Sequence, residues 1–246
     1  KTALQDLCLT LNDGDFVTVI GGNGAGKSTM LNAVAGTFAV DAGTIAIDGK
    51  DVTHLPEHKR AQFIGRVFQD PMMGTAPTMQ IEENLALAAR RGKRRGLAWG
   101  ITRAEREEYR EKLKTLGLGL EDRMTSKVGL LSGGQRQALT LLMASLRRPE
   151  LLLLDEHTAA LDPATAAKVL ELSDRIVAEN HLTAMMITHN MRDAIIHGNR
   201  LIMMNAGKII LDISGEEKKQ LTKEDLLSRF AAVAGQQEET DSVLLS

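Results

Sequence analysis

The string GGNGAGKS at residues 21–28 constrains this chain more than any other feature. It fits the pattern G-x-x-x-x-G-K-[ST], follows the apolar run 16–20 and opens a helical stretch at 27–36. A glycine-rich turn between a strand and a helix lets backbone N–H groups converge on phosphate oxygens, and the helix N-terminus adds a field that favours anions. The string predicts a cradle made by Gly21, Gly22, Asn23, Gly24, Ala25 and Gly26. Lys27 then reaches the β and γ phosphates of a nucleotide, Ser28 ligates Mg²⁺ and Thr29 hydrogen-bonds a phosphate oxygen.

The rest of the chain supplies the sheet such a loop needs. Short apolar runs at 16–20, 63–68, 151–154, 184–187 and 201–204 read as buried parallel strands, and 27–36, 163–179, 190–197 and 223–233 read as helices. Residues 70–148 break the alternation, offering helices at 81–91, 103–116 and 133–147 with no strand among them. The expected fold is α/β, a phosphate-loop NTPase core with a mainly parallel sheet. Its core comprises 1–69 and 149–235, a helical subdomain occupies 70–148, and 236–246 form a polar tail.

Composition removes several classes. Thirty basic against 32 acidic residues give a formal charge of -2, so no overall pull toward nucleic acid is implied, and no nucleic-acid partner is expected. The single Cys8 excludes an internal disulfide. No apolar run approaches the ~20 residues that span a bilayer, and the N-terminus lacks a secretory pattern. A cytoplasmic protein is expected, reaching a membrane only by docking on other chains. The one strong charge cluster, RRGKRR at 90–95, suggests contact with a membrane or membrane protein, against the plainer reading of a solvated loop.

Two further strings carry chemistry. LLLLDE at 151–156 is a buried strand whose end projects carboxylates into the crevice where α/β sheets hold ligands. There Asp155 is suited to hold Mg²⁺ through water, and Glu156 to polarise an attacking water. LSGGQRQ at 131–137 places Ser132, Gly133, Gly134 and Gln135 at another N–H-rich helix start, although a serine N-cap alone also explains Ser132.

With these three strings in this order, the sequence resembles the ATP-binding subunits of ABC transporters over nearly its whole length, most of all those of bacterial uptake systems. The resemblance implies ATP and Mg²⁺ as ligands, and ATP hydrolysis that drives transport. Gln69, in VFQDP, matches the glutamine that contacts Mg²⁺ and attacking water; His189, in MMITHN, matches the switch histidine on the γ-phosphate. Asp162, in AALDP, matches an aspartate at the dimer interface, though it also reads as the N-cap of the helix begun by Pro163. The resemblance further implies a homodimer or heterodimer of ATPase subunits, an integral membrane permease, an extracytoplasmic substrate-binding protein and a peripheral position on the inner membrane face. The 63 positions between Gln69 and Ser132 leave no room for the long coiled coil of DNA-repair relatives. An iron–sulfur assembly ATPase is the alternative.

Three departures stand out. The family commonly has proline and serine where this chain has His157 and Ala159, and His157 beside Glu156 invites an alternative reading as a base. No aromatic precedes Phe16, itself read as strand core, and the first residue is Lys1. The family's opening strand and adenine-stacking aromatic are therefore expected to lie outside this sequence.

Overall fold

A computed structural model describes residues 2–93 and 100–232. Strand β1 (Phe16–Gly21) runs into the phosphate loop and helix α1 (Lys27–Ala35). A small hairpin follows, β2 (Ala46–Ile47) with β3 (Lys50–Asp51), then α2 (Glu57–Arg60) and β4 (Ile64–Val67). Between β4 and the next strand the described elements are helical: α3 (Ile81–Ala89), α4 (Arg103–Lys114), two 3₁₀ turns and α5 (Gly133–Ser145). The chain returns as β5 (Leu151–Asp155), α6 (Pro163–Glu179), β6 (Ala184–Ile187), α7 (Met191–Ile196), β7 (Arg200–Asn205), β8 (Lys208–Ser214) and α8 (Gly215–Lys219). Residues 223–232 are helical as well.

The sheet order is β4-β5-β6-β1-β7-β8, parallel throughout except for β8, which pairs antiparallel with β7. The uniformly apolar strands follow from burial on both faces. Leu151 and Leu153 pack with Val17, Val19 and Leu31 on the α1 side, whereas Leu152 and Leu154 pack with Leu85, Leu139 and Ile176 on the helical side. That period of two gives each strand a separate set of contacts in each layer.

The five predicted strands all form, with shifted ends: 63–68 contracts to Ile64–Val67, and 201–204 extends to Arg200–Asn205. The helices predicted at 81–91, 103–116 and 133–147 each end two residues early, where the last turns leave regular geometry, whereas the one at 163–179 forms with those bounds. Strand β8 is an addition. It lies at the edge of the sheet, and only Ile213 of its seven residues is fully buried, so its sequence KIILDIS mixes polar with apolar positions. Residues 2–11 hold no assigned strand, yet Leu4, Leu7, Leu9 and Leu11 lie against the α1-side core and the N–H of Gln5 donates to the carbonyl of Gly207 at 3.1 Å. Residues 236–246 fall outside the described part.

Candidate functional site

Parallel pairing gathers the predicted site at one sheet edge. Val19 pairs with Ile187, Asp155 pairs with Ile187 from the other side, and Val67 pairs with Leu154. Gly21, Glu156, His189 and Gln69 each follow one of these positions by one or two residues. The carboxyl ends of β1, β4, β5 and β6 therefore open on a common crevice, where α/β folds bind ligands.

In the phosphate loop, Gly24 and Gly26 have φ of 79° and 99°, conformations that a side chain makes costly. Helix α1 begins at Gly26 with no side-chain cap and no acidic residue in its first turn. Its first N–H groups are thus left for an anionic group. Lys27 is buried, and its Nζ donates to the carbonyls of Gly21 at 2.8 Å and Gly22 at 3.0 Å. Burial pulls its ammonium below the ordinary lysine range, with the Glu156 carboxylate opposing. Ser28 is exposed and Thr29 half-buried. The cradle fits a polyphosphate by its donor set.

Asp155 and Glu156 end β5 on different partners. Asp155 Oδ2 lies 3.2 Å from a guanidinium nitrogen of Arg66, while Glu156 Oε1 lies 2.6 Å from His189 Nε2. Glu156 adopts φ 46°, a strained conformation for a residue with a Cβ, and its N–H donates to the carbonyl of Ile187. The turn lifts this carboxylate off the strand toward His189, which is exposed beyond β6. Gln69 is exposed after β4.

The signature string opens α5. Ser132 accepts from the N–H of Gln135 at 3.3 Å, and Gln135 Oε1 accepts from the N–H of Ser132 at 3.2 Å, a capping box. Gly133 is exposed, and a Cβ on Gly134 would overlap Cγ2 of Thr165. Asp162 caps α6 by accepting from the N–H of Thr165 at 3.0 Å, and hydrogen bonds from Thr165 hold its carboxyl below the usual range. Gln137, the last residue of the string, donates to the carbonyl of Phe68 at 3.2 Å and so ties α5 to the residue before Gln69.

Two expectations require correction. His157 is not available as a base: it is buried, with its Nε2 2.9 Å from Ser173 Oγ on α6, and burial pulls its pKa down to about 4. Arg90 and Arg91 are half-buried and tied to backbone carbonyls, not a freely solvated loop. Arg90 donates to the carbonyls of Ala86 and Gly100, and Arg91 to those of Ala144 at 3.0 Å and Arg147 at 2.6 Å. Cations on the last carbonyls of helices are favourable there. Arg94 and Arg95 lie outside the described residues. The positions that sequence reasoning missed are Arg66, Gln137, Thr165 and Ser173, each of which meets the site through a residue well separated in the chain, respectively Asp155, Phe68, Gly134 and His157.

A parallel sheet with a phosphate loop after its central strand and paired carboxylates on the same edge defines a phosphate-loop ATPase. Residues 4–159 match the ABC transporter family model, and the chain belongs to that family. Its members are ATP-binding proteins that hydrolyse ATP to power transport, and this chain is such an ATPase. It is 45% identical over 230 residues to a tyrosine transport ATP-binding protein of Clostridioides difficile, covering 94% of this chain and 91% of that one. It is 35% identical to a spermidine/putrescine import ATP-binding protein of Haemophilus ducreyi, covering 94% of this chain and 59% of that longer one. Among solved structures, the ADP conformation of the ATP-binding cassette MJ1267 superposes with a TM-score of 0.75 at 27% identity, covering 93% and 92% of the two chains. The dimeric post-hydrolysis cassette MJ0796 bound to ADP and Pi superposes with a TM-score of 0.72 at 30% identity, covering 86% and 90%.

Proposed function

We propose that this chain is the ATPase subunit of an importer for a small solute of the amino-acid class, working as one of two cassettes beneath an integral membrane permease. Two cassettes of this kind sandwich ATP between the phosphate loop of one and Ser132, Gly133 and Gly134 of the other. The observation that carries the reading is the collection of Lys27, Asp155 and the Glu156–His189 pair at one sheet edge, with a separate exposed signature at the start of α5. The similarity to a tyrosine transport protein over nearly the full length of both chains favours an amino acid as cargo. A substrate-binding protein on the far side of the membrane and a peripheral position on the inner face belong to the same reading. Among the described residues no helix is long and apolar enough to cross a membrane.

The chemistry follows from the residues. The open N–H groups of α1 and the Lys27 ammonium hold the β and γ phosphates. Ser28, Asp155 and Gln69 are the residues that would hold Mg²⁺, which when bound neutralises charge on phosphate oxygens. Glu156 takes a proton from the attacking water, and His189, 2.6 Å away, fixes that carboxylate and contacts the γ-phosphate. Asp162 and the string 131–137 lie at helix starts from which a partner cassette is contacted.

The test is reconstitution with the permease and binding protein that co-purify from native membranes. ATP-dependent accumulation of tyrosine, or of another amino acid, is expected. Glu156→Gln should still bind ATP while hydrolysis falls by roughly 10² or more. Near-normal turnover in that variant would overturn the assignment of the base. Co-purification with iron–sulfur scaffold proteins in place of a permease would overturn the transport reading.

A further inference from the structure

Arg66 belongs to none of the motifs above, yet it touches the acidic end of the site from behind. It lies on β4, three residues before Gln69. One guanidinium nitrogen is 2.8 Å from Asn32 Oδ1 and 3.2 Å from Asp155 Oδ2; the other is 3.3 Å from Thr37 Oγ1. Its Nε is buried without a hydrogen-bond partner, and the guanidinium stacks 4.6 Å from the centre of the Phe68 ring. Both members of the Arg66–Asp155 pair are shielded, their side chains 13% and 17% exposed.

The position of Asn32 gives this cluster its meaning. Ser28 and Asn32 are four residues apart on α1, so they share one face of that helix. Arg66 therefore bridges the residue one turn below Ser28 to the carboxylate of Asp155. It occupies one carboxylate oxygen and leaves the other as an acceptor. A fixed cation on one side of a carboxylate weakens the attraction of that carboxylate for a second cation, and partial burial makes the effect larger than in water.

We propose that Arg66 is a positioning residue that clamps Asp155 against α1 and sets how strongly nucleotide binding depends on the divalent cation. The proposal rests on the reading of Asp155 as a magnesium-side carboxylate. Arg66 also stacks on Phe68, whose carbonyl is held by Gln137, so the clamp is joined to the segment that carries Gln69. With the guanidinium in place, Asp155 has a counter-charge even when no metal is present, and the gain from adding metal is correspondingly small.

The experiment measures equilibrium binding of ATP to the full chain by calorimetry, once with Mg²⁺ and once with EDTA, and takes the ratio of the two affinities. In Arg66→Met that ratio should rise by about threefold or more, because the carboxylate loses its fixed competitor while ATP loses a nearby cation. Arg66→Gln carries the same expectation and serves if methionine disturbs the packing on Phe68. Arg66→Lys keeps the charge and should stay near the wild-type ratio. Asp155→Asn is the control for the underlying reading and should lower the ratio. If Asp155→Asn lowers it but neither neutral Arg66 variant raises it, the clamp is overturned and the metal assignment stands. If Asp155→Asn leaves the ratio unchanged, the metal assignment itself fails, and the proposal with it.

Discussion

His157 Nε2 lies 2.9 Å from Ser173 Oγ, and the serine hydroxyl donates to the carbonyl of Val169 at 2.8 Å. With that proton committed, Ser173 accepts from the imidazole, which fixes the neutral Nε2–H tautomer. The residue next to Glu156 is thereby fastened to α6. His197 and Asp174, joined at 2.6 Å, lie close by, and the His197 ring adds to the bias against a charged His157.

This bond predicts a specific pH dependence of stability. Burial depresses the pKa of His157 from 6.5 to about 4, so between these values the unfolded chain binds a proton that the folded chain refuses. Stability is complete above about pH 6.5 and is lost as pH falls toward 4, by on the order of 3 kcal/mol at the lower end. His157→Gln removes the titrating group and keeps an amide donor for Ser173. Thermal melts at several pH values across this window should show a smaller acid loss in the variant than in the wild type. Parallel losses in the two proteins would remove His157 from the explanation.

The second prediction concerns how closely α5 approaches α6. A Cβ on Gly134 would overlap Cγ2 of Thr165, the residue whose N–H is capped by Asp162. Gly134→Ala should therefore destabilise the fold by about 1–3 kcal/mol through overpacking, apart from any effect on phosphate binding. Thr165→Ser removes the obstructing methyl and retains the hydroxyl, so the double variant should recover most of the lost melting temperature. If it recovers nothing, the glycine is required for some reason other than this contact.

These long-range contacts mark where the sequence ceases to be readable. The phosphate loop, the β5 carboxylates, the signature and His189 are each announced by a continuous string, and parallel strands are announced by apolar runs. What a side chain meets from across the fold is not announced. Among the described residues Arg60 has no acidic partner at hydrogen-bond distance; it is fully buried, donating to the carbonyls of Thr53 and Leu55 and to those of Ala33 and Val34 at the end of α1. Arg91 lies within a basic run yet caps α5. Strand β8 was hidden because an edge strand is only half apolar. In each case the deciding partner is a backbone group placed by tertiary structure, and local composition points the other way.

The final prediction tests whether the ATP sites are composite, on which the proposed function depends. The phosphate loop lies between β1 and α1, whereas the signature begins α5, a helix packed against α3, α4 and α6. Consider a dimer in which one cassette carries Lys27→Ala and its partner carries Ser132→Ala. In a head-to-tail arrangement, the Lys27→Ala loop faces the Ser132→Ala signature, and the second site unites the two intact motifs. One whole site survives. If each cassette used its own loop and its own signature, both sites would be damaged. The defined heterodimer, purified through different tags on the two chains, should therefore trap ATP and hydrolyse it above either mutant homodimer. ATP occlusion is measured beside turnover because hydrolysis can require both sites, and occlusion at one site suffices to show that it is complete. Absence of recovery in both measurements would reject the sandwich and leave a phosphate-loop ATPase whose exposed signature has some other partner.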